Sequence, residues 1–214
     1  MKIMLVRHGE TYWNASGKIQ GRSDIELSPT GIEQAKILAE FCPFEKVDAV
    51  YSSDLKRAKM TAEILAEKFG LSVQLVPELR EVSFGDWEGN NFDNLQKTEP
   101  ENVEKFFKRP DELKIPNGET FAELQARAMV GLKKIIAAHA NDENSQIIIG
   151  AHGAINRAIL CAILDIPLRK IWAISQFNTA VNILRVDDGA FTVDLVNSTA
   201  HLERAQFVSR QSWS

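Results

Sequence analysis

The chain has 214 residues, of which 44% are hydrophobic and 25% are charged, a composition typical of a soluble globular protein with a sizeable core. Its formal net charge is −4, so it lacks the overall positive field that would hold nucleic acid or an anionic membrane. A local cluster of arginines could still bind a small anionic ligand.

The N-terminal segment argues against export and against membrane insertion. Residues 3–6 form an apolar run of only four, which is too short for a signal peptide or a membrane span. Cys42 and Cys161 lie far apart among apolar or helix-forming neighbours, and we expect two buried free thiols rather than a disulfide. These features predict a cytoplasmic protein that binds neither nucleic acid nor membranes.

Strand and helix patterns alternate along the chain, and its length predicts one domain over 1–214. The predicted elements, in chain order, are a strand at 3–6, a helix at 29–41, a strand at 47–51, a helix at 54–69, a strand at 71–76, a helix at 120–140, a strand at 146–150, a helix at 154–164 and a hairpin of strands at 181–186 and 191–196. The isoleucine run at 147–149 is typical of a central parallel strand. The pattern predicts a three-layer α/β/α sandwich with a mostly parallel central sheet and helices on both faces.

The stretch 85–119 differs from the segments on either side of it. It is rich in proline, charge and aromatic residues, among them Trp87, Phe92, Phe106 and Phe107. We interpret it as a helical insertion that forms a lid over the sheet rather than as a separate domain. Its aromatic side chains could pack the lid itself or line a substrate pocket, and the first role is the commoner one.

The strongest functional signal is Arg7-His8-Gly9, which follows the first strand directly. Ligands of open α/β sheets bind at the carboxyl ends of parallel strands, so this arginine and histidine are well placed for an anion. The strand at 146–150 ends in the same way, with His152 and Gly153 shortly after it. If the two strands are neighbours, one imidazole could attack phosphorus while the other holds an oxygen.

Two further segments supply an arginine and an acid. Arg57 lies in the first turn of the helix after the second strand, and a planar guanidinium suits bidentate binding of phosphate. Glu81 offers a carboxyl group at the mouth of the site, although Glu78 and Glu88 are alternatives for the same role.

The histidines and one asparagine also have structural interpretations. His8 could simply cap a strand, His152 could be a hydrogen-bonded core histidine, and Asn14 could belong to a turn. His139, near a helix end, is interpreted as a surface residue. His201, in the tail, could contact the site, but a structural role is favoured.

A catalytic metal is a weaker hypothesis. The sequence contains no His-x-x-x-His spacing and no carboxylate-rich pair of the kind that metal sites use. Arginines at the same centre would also repel a cation. We therefore expect neither a metal nor another cofactor.

Taken together, these motifs resemble the histidine phosphatase superfamily, in the branch that includes cofactor-dependent phosphoglycerate mutases and their phosphatase relatives. Arg-His-Gly alone would be weak evidence, but the motifs follow the family's order along nearly the whole chain. They are Leu-Val-Arg-His-Gly-Glu-Thr at 5–11, Asn14, the segments 20–24, 27–31 and 34–35, Tyr-Ser-Ser-Asp-Leu-Lys-Arg-Ala at 51–58, Glu81 with the segment 84–89, His152 with Gly153, and in the tail 178–182, Asn197, His201 and Leu202.

The resemblance implies a role for each catalytic candidate. His8 would attack phosphorus and form a phosphohistidine, while Arg7, Arg57 and His152 would hold the phosphoryl oxygens. Glu81 would protonate the leaving oxygen and then act as base toward the hydrolytic water. A bound phosphate dianion would favour the protonated form of this carboxyl group, and His152 would serve best when protonated.

The resemblance also implies a set of binding residues and a partner. Asn14 would add a hydrogen bond to the phosphate, and Gln20 and Gly21 would line the site. Gly153 and Ala154 would offer backbone N–H groups at a helix N-terminus. The partner would be a small phosphorylated metabolite. Dimers are common in the family, so a homodimer is allowed but not specified.

Three functions compete at this stage: a phosphomonoesterase, a phosphoglycerate mutase and a binding protein without turnover. The complete catalytic set argues against the binding protein. Mutases carry a longer chain and a His-Tyr-Gly stretch after the acid, whereas this chain has Ser83-Phe84-Gly85, which favours hydrolysis. The substrate could be α-ribazole phosphate or a broad range of esters. The phosphoserine type is less favoured, because it has a histidine where Phe84 stands.

Overall fold

The computed structural model describes residues 1–207 and contains a six-stranded sheet with helices around it. Residues 208–214 of the predicted domain lie outside the described residues. The strands are β1 (Lys2–Arg7), β2 (Ala49–Ser52), β3 (Val73–Leu75), β4 (Gln146–Ala151), β5 (Val181–Asp187) and β6 (Ala190–Ser198). The α-helices are α1 (Tyr12–Ala15), α2 (Pro29–Glu40), α3 (Lys56–Glu67), α4 (Phe92–Thr98), α5 (Pro100–Lys108), α6 (Phe121–Ala138), α7 (Gly153–Ile163) and α8 (Ala200–Arg204). Turns of 3₁₀ helix cover Pro77–Leu79, Gly85–Trp87, Pro110–Glu112 and Leu168–Ala173.

The sheet has the strand order β3-β2-β4-β1-β5-β6. The first four strands in this order run parallel, β5 is antiparallel to β1, and β6 is antiparallel to β5. The prediction of a mostly parallel sheet in an α/β sandwich is confirmed. Because β1 and β4 are adjacent and in register, with Arg7 opposite Ala151, the two strands that precede His8 and His152 end side by side.

The central strands contribute side chains to two buried apolar layers, because successive side chains of a strand point to opposite faces of the sheet. In β1, Ile3 and Leu5 enter one layer, whereas Met4 and Val6 enter the other. Helices α6 and α7 cover the first layer, and α2 and α3 cover the second. Apolar burial on both faces explains why β4 reads as an unbroken isoleucine run.

Element boundaries differ from the prediction where side chains compete with the helix. Helix α3 begins at Lys56 rather than at residue 54, because Leu55 N–H donates to Ser53 Oγ (3.3 Å) and Lys56 N–H donates to Asp24 Oδ1 (2.7 Å). Strand β3 is shorter than predicted and pairs only with β2, at the edge of the sheet. The short helices α1 and α8 have no apolar period that the sequence pattern could reveal.

The cysteines are free thiols, as predicted. Cys161 is buried, and burial raises the pKa of its thiol to about 11. Cys42 is only partly buried, so the prediction of a buried thiol is wrong for this residue. Within residues 1–207, no helix is long and apolar enough to cross a membrane.

The segment 85–119, called the lid below after its predicted role, is largely helical, and its two ends lie side by side. Asp86 N–H donates to the carbonyl oxygen of Pro116 (3.1 Å), and Glu119 N–H donates to that of Ser83 (2.8 Å). Helices α4 and α5 therefore project from a closed neck, and α6 returns the chain to the core.

Two glycines let the loop after β1 pack directly on the first turn of α2. A Cβ at Gly9 would lie 2.3 Å from the carbonyl oxygen of Gly31, and a Cβ at Gly31 would lie 2.0 Å from that of Glu10. Ser28 Oγ caps the helix by accepting from Gly31 N–H (3.1 Å), and Ser28 N–H donates to the Glu10 carbonyl oxygen (2.9 Å). The start of α2 thus fixes the backbone that follows His8.

We predict that Gly31→Ala destabilises the fold by about 1–3 kcal/mol, the usual cost of forcing an extra methyl group into a tightly packed site. Alanine is the better helix former, but backbone atoms block its Cβ. Urea unfolding measures the effect, and Lys36→Ala on the exposed face of α2 is the control. Equal stability of Gly31→Ala and the wild type would show that the loop and the helix move apart freely.

Candidate active site

His8 is buried immediately after β1 and is held through its main chain. Its N–H donates to the carbonyl oxygen of Ala151 (3.0 Å), and its own carbonyl oxygen accepts from Thr179 N–H (3.2 Å) and Asn178 Nδ2 (3.1 Å). Nδ1 of the ring lies 2.7 Å from the carbonyl oxygen of Gly9. Because a carbonyl can only accept, Nδ1 carries the proton and Nε2 has the lone pair.

The electrostatics keep the His8 ring neutral. Burial, followed by repulsion from Arg57 and Arg7, lowers the pKa of His8 well below its ordinary value, against the raising effect of the bond to Gly9. Arg57 Nε donates to Nε2 at 3.3 Å. At neutral pH, His8 therefore presents an unprotonated nitrogen beside a buried cation.

His152 lies beside His8, as the adjacent ends of β1 and β4 require, with 5.2 Å between the ring centroids. Its Nε2 is 2.8 Å from Ser53 Oγ, which also accepts from Leu55 N–H. Its Nδ1 is buried and has no hydrogen-bond partner within residues 1–207. Burial, followed by repulsion from Arg57, lowers the pKa of His152 well below its ordinary value. The expectation that His152 serves best when protonated concerns a site with bound phosphate and stays a prediction.

Arg7 and Arg57 are buried with main-chain carbonyl groups as partners. Arg7 Nη1 donates to the carbonyl oxygen of Gln176 (2.5 Å), and Arg57 donates through Nη1 to Ser23 (2.8 Å) and through Nη2 to Gly21 (2.6 Å). Burial lowers the pKa of Arg7 to about 9 and that of Arg57 to about 10. Both guanidinium groups remain charged at neutral pH, and both line the same cavity.

Glu81 lies against the N-terminus of α7. Its Oε2 accepts from Ala154 N–H, and its Oε1 accepts from Ile155 N–H and Val82 N–H, each at 3.0 Å. This position is favourable because the N-terminus of a helix attracts negative charge. The sequence predicted the Ala154 N–H as a phosphate donor, but in the structure it is taken by the carboxyl group of Glu81.

The two alternative acids lie elsewhere. Glu78 pairs with Lys134, and this hydrogen bond lowers the pKa of Glu78. Glu88 accepts from Arg22 N–H (2.9 Å) and from Ser23 Oγ (2.7 Å), which ties the lid to the segment 20–24. Of these three acids, only Glu81 lines the cavity that contains His8.

The remaining predicted binding residues divide into two groups. Gln20 and Gly21 line the cavity, and Gln20 Oε1 accepts from Thr11 Oγ1 (2.8 Å). Asn14 is not among the lining residues: its Oδ1 accepts from Thr11 N–H in the capping box of α1 and from Asn178 Nδ2 (3.4 Å). Asn14 therefore occupies the turn position that the sequence allowed, close behind the site.

The cavity holds about 270 Å³ and has two unlike ends. One end, called the phosphate end, is formed by Arg7, His8, Arg57 and Glu81. The other, called the aromatic wall, is formed by Phe84, Phe92, Phe106, Phe107 and Trp172. The wall residues also stack on one another, with 4.6 Å between the ring centroids of Phe106 and Trp172 and 4.9 Å between those of Phe92 and Phe106. They thus pack the lid and line the cavity at once.

Arg157 of α7 also lines the cavity, and the sequence analysis missed it. Its Nε donates to the carbonyl oxygen of Ile174 (2.7 Å), and its guanidinium carbon lies 5.2 Å from the Trp172 ring centroid. Gly153 is one helical turn earlier, and a Cβ there would lie 3.1 Å from Arg157 Nη1 and 3.5 Å from Arg7 Nε. The available signal was an arginine in the stretch 154–164, which is apolar apart from Asn156 and Arg157, four residues after the glycine.

A buried network of amide side chains supports the site from the tail. Gln176 Nε2 donates to Asn182 Oδ1 (2.7 Å), Asn182 Nδ2 donates to the carbonyl oxygen of Leu5 (3.0 Å), and Asn197 N–H donates to Asn182 Oδ1 (2.9 Å). The carbonyl oxygen of Gln176 is the acceptor for Arg7. Strands β5 and β6 therefore help to fix the position of that guanidinium group.

His201 of α8 supports the turn that holds the His8 carbonyl group. Its Nε2 lies 2.9 Å from Thr179 Oγ1, and that hydroxyl donates to the carbonyl oxygen of Asn178 (2.7 Å). Thr179 has φ 54°, which is unfavourable for a β-branched residue. Burial lowers the pKa of His201 to about 4. Its contact is with the supporting turn, as the favoured structural role implies.

Other residues with chemical potential lie outside the cavity. His139, at the end of α6, pairs with the hydroxyl group of Tyr51 (3.0 Å). Within residues 1–207, no group of three or more His, Cys, Asp or Glu side chains is arranged to hold a metal ion.

A family model described as the histidine phosphatase superfamily (branch 1) matches residues 3–199. The chain is 37% identical over 212 residues to a metal-independent phosphoserine phosphatase of Arabidopsis thaliana, an alignment that covers 98% of this chain and 86% of that protein.

Solved structures agree with this match. The YhfR protein of Bacillus stearothermophilus superposes with a TM-score of 0.88 at 30% identity, covering 94% of this chain and 98% of that one. The α-ribazole phosphatase of Shigella flexneri superposes with a TM-score of 0.80 at 27% identity, covering 92% and 96%.

We predict that His201 makes the fold acid-sensitive. Its pKa is about 4 in the folded protein and about 6.5 in an unfolded chain. The unfolded state therefore binds more protons between these values, so stability is lost as the pH falls through 6.5 and the loss is complete below about 4. His201→Gln keeps a hydrogen-bond donor for Thr179 but cannot titrate.

Urea unfolding of both proteins at pH 7.5 and pH 4.5 checks this prediction. The wild type should lose about 2–3 kcal/mol more than His201→Gln between these two pH values. An equal loss in both proteins would assign the acid sensitivity to other groups.

Proposed function

This chain belongs to branch 1 of the histidine phosphatase superfamily and is a phosphoric monoester hydrolase, and we propose that it works through a phosphohistidine on His8. The substrate would be a small phosphorylated metabolite, and neither a metal nor another cofactor would take part. The observation that carries the proposal is the neutral His8 ring, which lines a cavity together with buried arginines and whose unprotonated Nε2 accepts only a long, 3.3 Å hydrogen bond, from Arg57.

The formal charge of the cavity supports a phosphate dianion as ligand. Arg7, Arg57 and Arg157 are buried and line the cavity together with Glu81, so positive charge exceeds negative charge among the buried lining residues. Buried charge is unfavourable unless it is paired. A phosphate monoester at neutral pH carries two negative charges, which would pair with this excess.

In the first step, Nε2 of His8 attacks phosphorus, and the bond between phosphorus and the ester oxygen breaks. The neutral state of the ring supports this role, because a protonated nitrogen has no lone pair. Arg7, Arg57 and Nδ1–H of His152 would donate to the phosphoryl oxygens as charge develops on them. The protonated carboxyl group of Glu81 would give its proton to the ester oxygen, which leaves as an alcohol.

In the second step, water hydrolyses the phosphohistidine. The carboxylate of Glu81 would take a proton from the water while the water oxygen attacks phosphorus, and the bond between phosphorus and Nε2 breaks. Phosphate leaves, and Glu81 is again protonated for the next cycle. The hydrogen bonds of Glu81 to the start of α7 support this double role, because they hold one carboxyl group at the cavity through both steps.

The aromatic wall supports a leaving group with apolar surface, such as α-ribazole phosphate or a range of aromatic and nucleoside-like esters. The names of similar proteins also support phosphoserine as a candidate, although Phe84 stands where that type was expected to have histidine. The proposal therefore names the reaction, hydrolysis of a phosphate monoester, and these esters are its candidate substrates.

The alternative function is a cofactor-dependent phosphoglycerate mutase. A mutase must keep water away from its phosphohistidine, whereas a hydrolase must admit it. The Ser83-Phe84-Gly85 sequence after Glu81 favours hydrolysis.

Steady-state assays separate these activities. A panel of phosphomonoesters is incubated with chelator, and 3-phosphoglycerate with its bisphosphate cofactor serves as the mutase control. We expect phosphate release without isomerisation and no effect of the chelator. Isomerisation without phosphate release would make the protein a mutase, and activity that disappears with chelator and returns with metal would overturn the mechanism.

We predict that His8→Ala lowers kcat at least about 1,000-fold, because the nucleophile is lost. Rapid quenching under alkaline conditions, followed by mass spectrometry, should reveal a phosphorylated His8 in the wild type and none in the variant. His139→Ala is the matched control outside the cavity and should retain activity. Substantial hydrolysis by His8→Ala would contradict the proposed role of His8 as the nucleophile.

We predict that Glu81→Gln slows alkyl phosphates about 100-fold or more, because general acid catalysis matters most for poor leaving groups. The nitrophenolate of p-nitrophenyl phosphate leaves without a proton, so this ester should lose much less. Glu78→Gln, outside the cavity, is the control. An equal loss on both kinds of ester would point to a different acid.

A further inference from the structure

Arg157 is a buried cation that the proposed reaction does not use. Its side chain is only 7% exposed, and its Nε donates to the carbonyl oxygen of Ile174. Within residues 1–207, no carboxylate forms an ion pair with it, and its two Nη groups have no hydrogen-bond acceptor. A buried charge is unfavourable without a partner. We therefore expect the two Nη groups of this guanidinium to bind an anionic group of the ligand.

The position of Arg157 says which part of the ligand it would contact. On one side its Nη1 is close to Gly153 and to Arg7, at the phosphate end. On the other side its guanidinium stacks over Trp172, in the aromatic wall. Arg157 therefore lies beside the part of a bound ester where the phosphate group is joined to the first atoms of the leaving group.

The charge balance of the reacting complex points the same way. With Glu81 in its acid form, Arg7, Arg57 and Arg157 carry three positive charges, and a phosphate dianion neutralises two of them. Asp24 and Glu88 offset part of the charge on Arg57, but neither acts on Arg157, whose positive charge lies next to the leaving group. Burial lowers the pKa of Arg157 to about 10, so this charge persists at neutral pH.

We propose that Arg157 is a specificity-determining residue that binds a carboxylate carried by the leaving group close to the ester oxygen. The preferred substrates would then be phosphate esters of short hydroxy acids. This inference rests on the proposed phosphomonoesterase function and refines its substrate class. A planar guanidinium can donate to both oxygens of a carboxylate at once, which an ammonium group cannot match.

Lys18 is the competing cation, because it also lines the cavity. It is exposed, however, and lies 5.7 Å from the ring centroid of Trp13. Solvent screens an exposed charge far more than a buried one. A carboxylate would therefore gain more from Arg157 than from Lys18.

The test compares two esters that differ only in the carboxylate, O-phosphoserine and O-phosphoethanolamine, with phenyl phosphate as a third substrate. The variants are Arg157→Met, which keeps an apolar contact with Trp172, and Arg157→Lys. Lys18→Met examines the competing cation, and Arg169→Met makes the same change at an exposed arginine. The readout is the ratio of kcat/KM for phosphoserine to kcat/KM for phosphoethanolamine, which does not depend on the fraction of active enzyme.

We expect the wild type to favour phosphoserine, and Arg157→Met to lower the ratio about 10- to 100-fold, the range expected for hydrogen bonds to a charged group. Arg157→Lys should fall between them, and the ratio should hold in Lys18→Met and Arg169→Met. A wild-type ratio near one, an unchanged ratio in Arg157→Met, or a ratio that follows Lys18 would overturn the inference. If Arg157→Met does not fold, the wild-type and Arg157→Lys ratios decide. Failure to hydrolyse any ester, phenyl phosphate included, would instead refute the proposed function.

Discussion

Buried positive charge is the constraint around which this site is built. Arg7, Arg57 and Arg157 lie out of water around His8, with Glu81 as the lining carboxylate. Each guanidinium is held by carbonyl oxygens of loops that follow no regular structure, in the segments 21–23 and 174–176. The conformations of these loops are therefore coupled to the arginines. A loop that moved would leave a buried cation without its acceptor, which is far less favourable than the loss of one neutral hydrogen bond.

Burial and the same cations together determine the protonation states of the two histidines. Their repulsion adds to burial and keeps His8 and His152 neutral. The Gly9 carbonyl group then selects the His8 tautomer that has its lone pair on Nε2, whereas His152 is hydrogen-bonded through its Nε2 to Ser53 Oγ. Two imidazoles 5.2 Å apart thus have different hydrogen-bond partners, although both carry the same charge.

Sequence patterns predict the layers well because apolar period and burial are directly linked. The ends of β1 and β4 could be marked from the residues alone, but their adjacency depends on sheet order, which is a long-range property. Details of the site could not be predicted from the sequence for the same reason. The bond between Ala154 N–H and Glu81 and the cavity position of Arg157 both arise from where α7 packs. The spacing of residues along the sequence does not indicate how this helix packs. Asn14 was ambiguous because one amide side chain suits both roles: its oxygen accepts in the turn, whereas its NH₂ group would donate to a phosphate.

The closed neck of the lid has a consequence for how such a site can diversify. The two ends of the segment 85–119 are joined by main-chain hydrogen bonds between Asp86 and Pro116 and between Ser83 and Glu119. A loop whose ends already meet can change in length and composition at small entropic cost. Much of the aromatic wall is carried by this segment, whereas His8 and the arginines belong to the sheet, its flanking helices and the turns that follow the strands. We therefore expect that a transplanted lid would change the apolar lining of the cavity while the positions of His8 and the arginines stay the same.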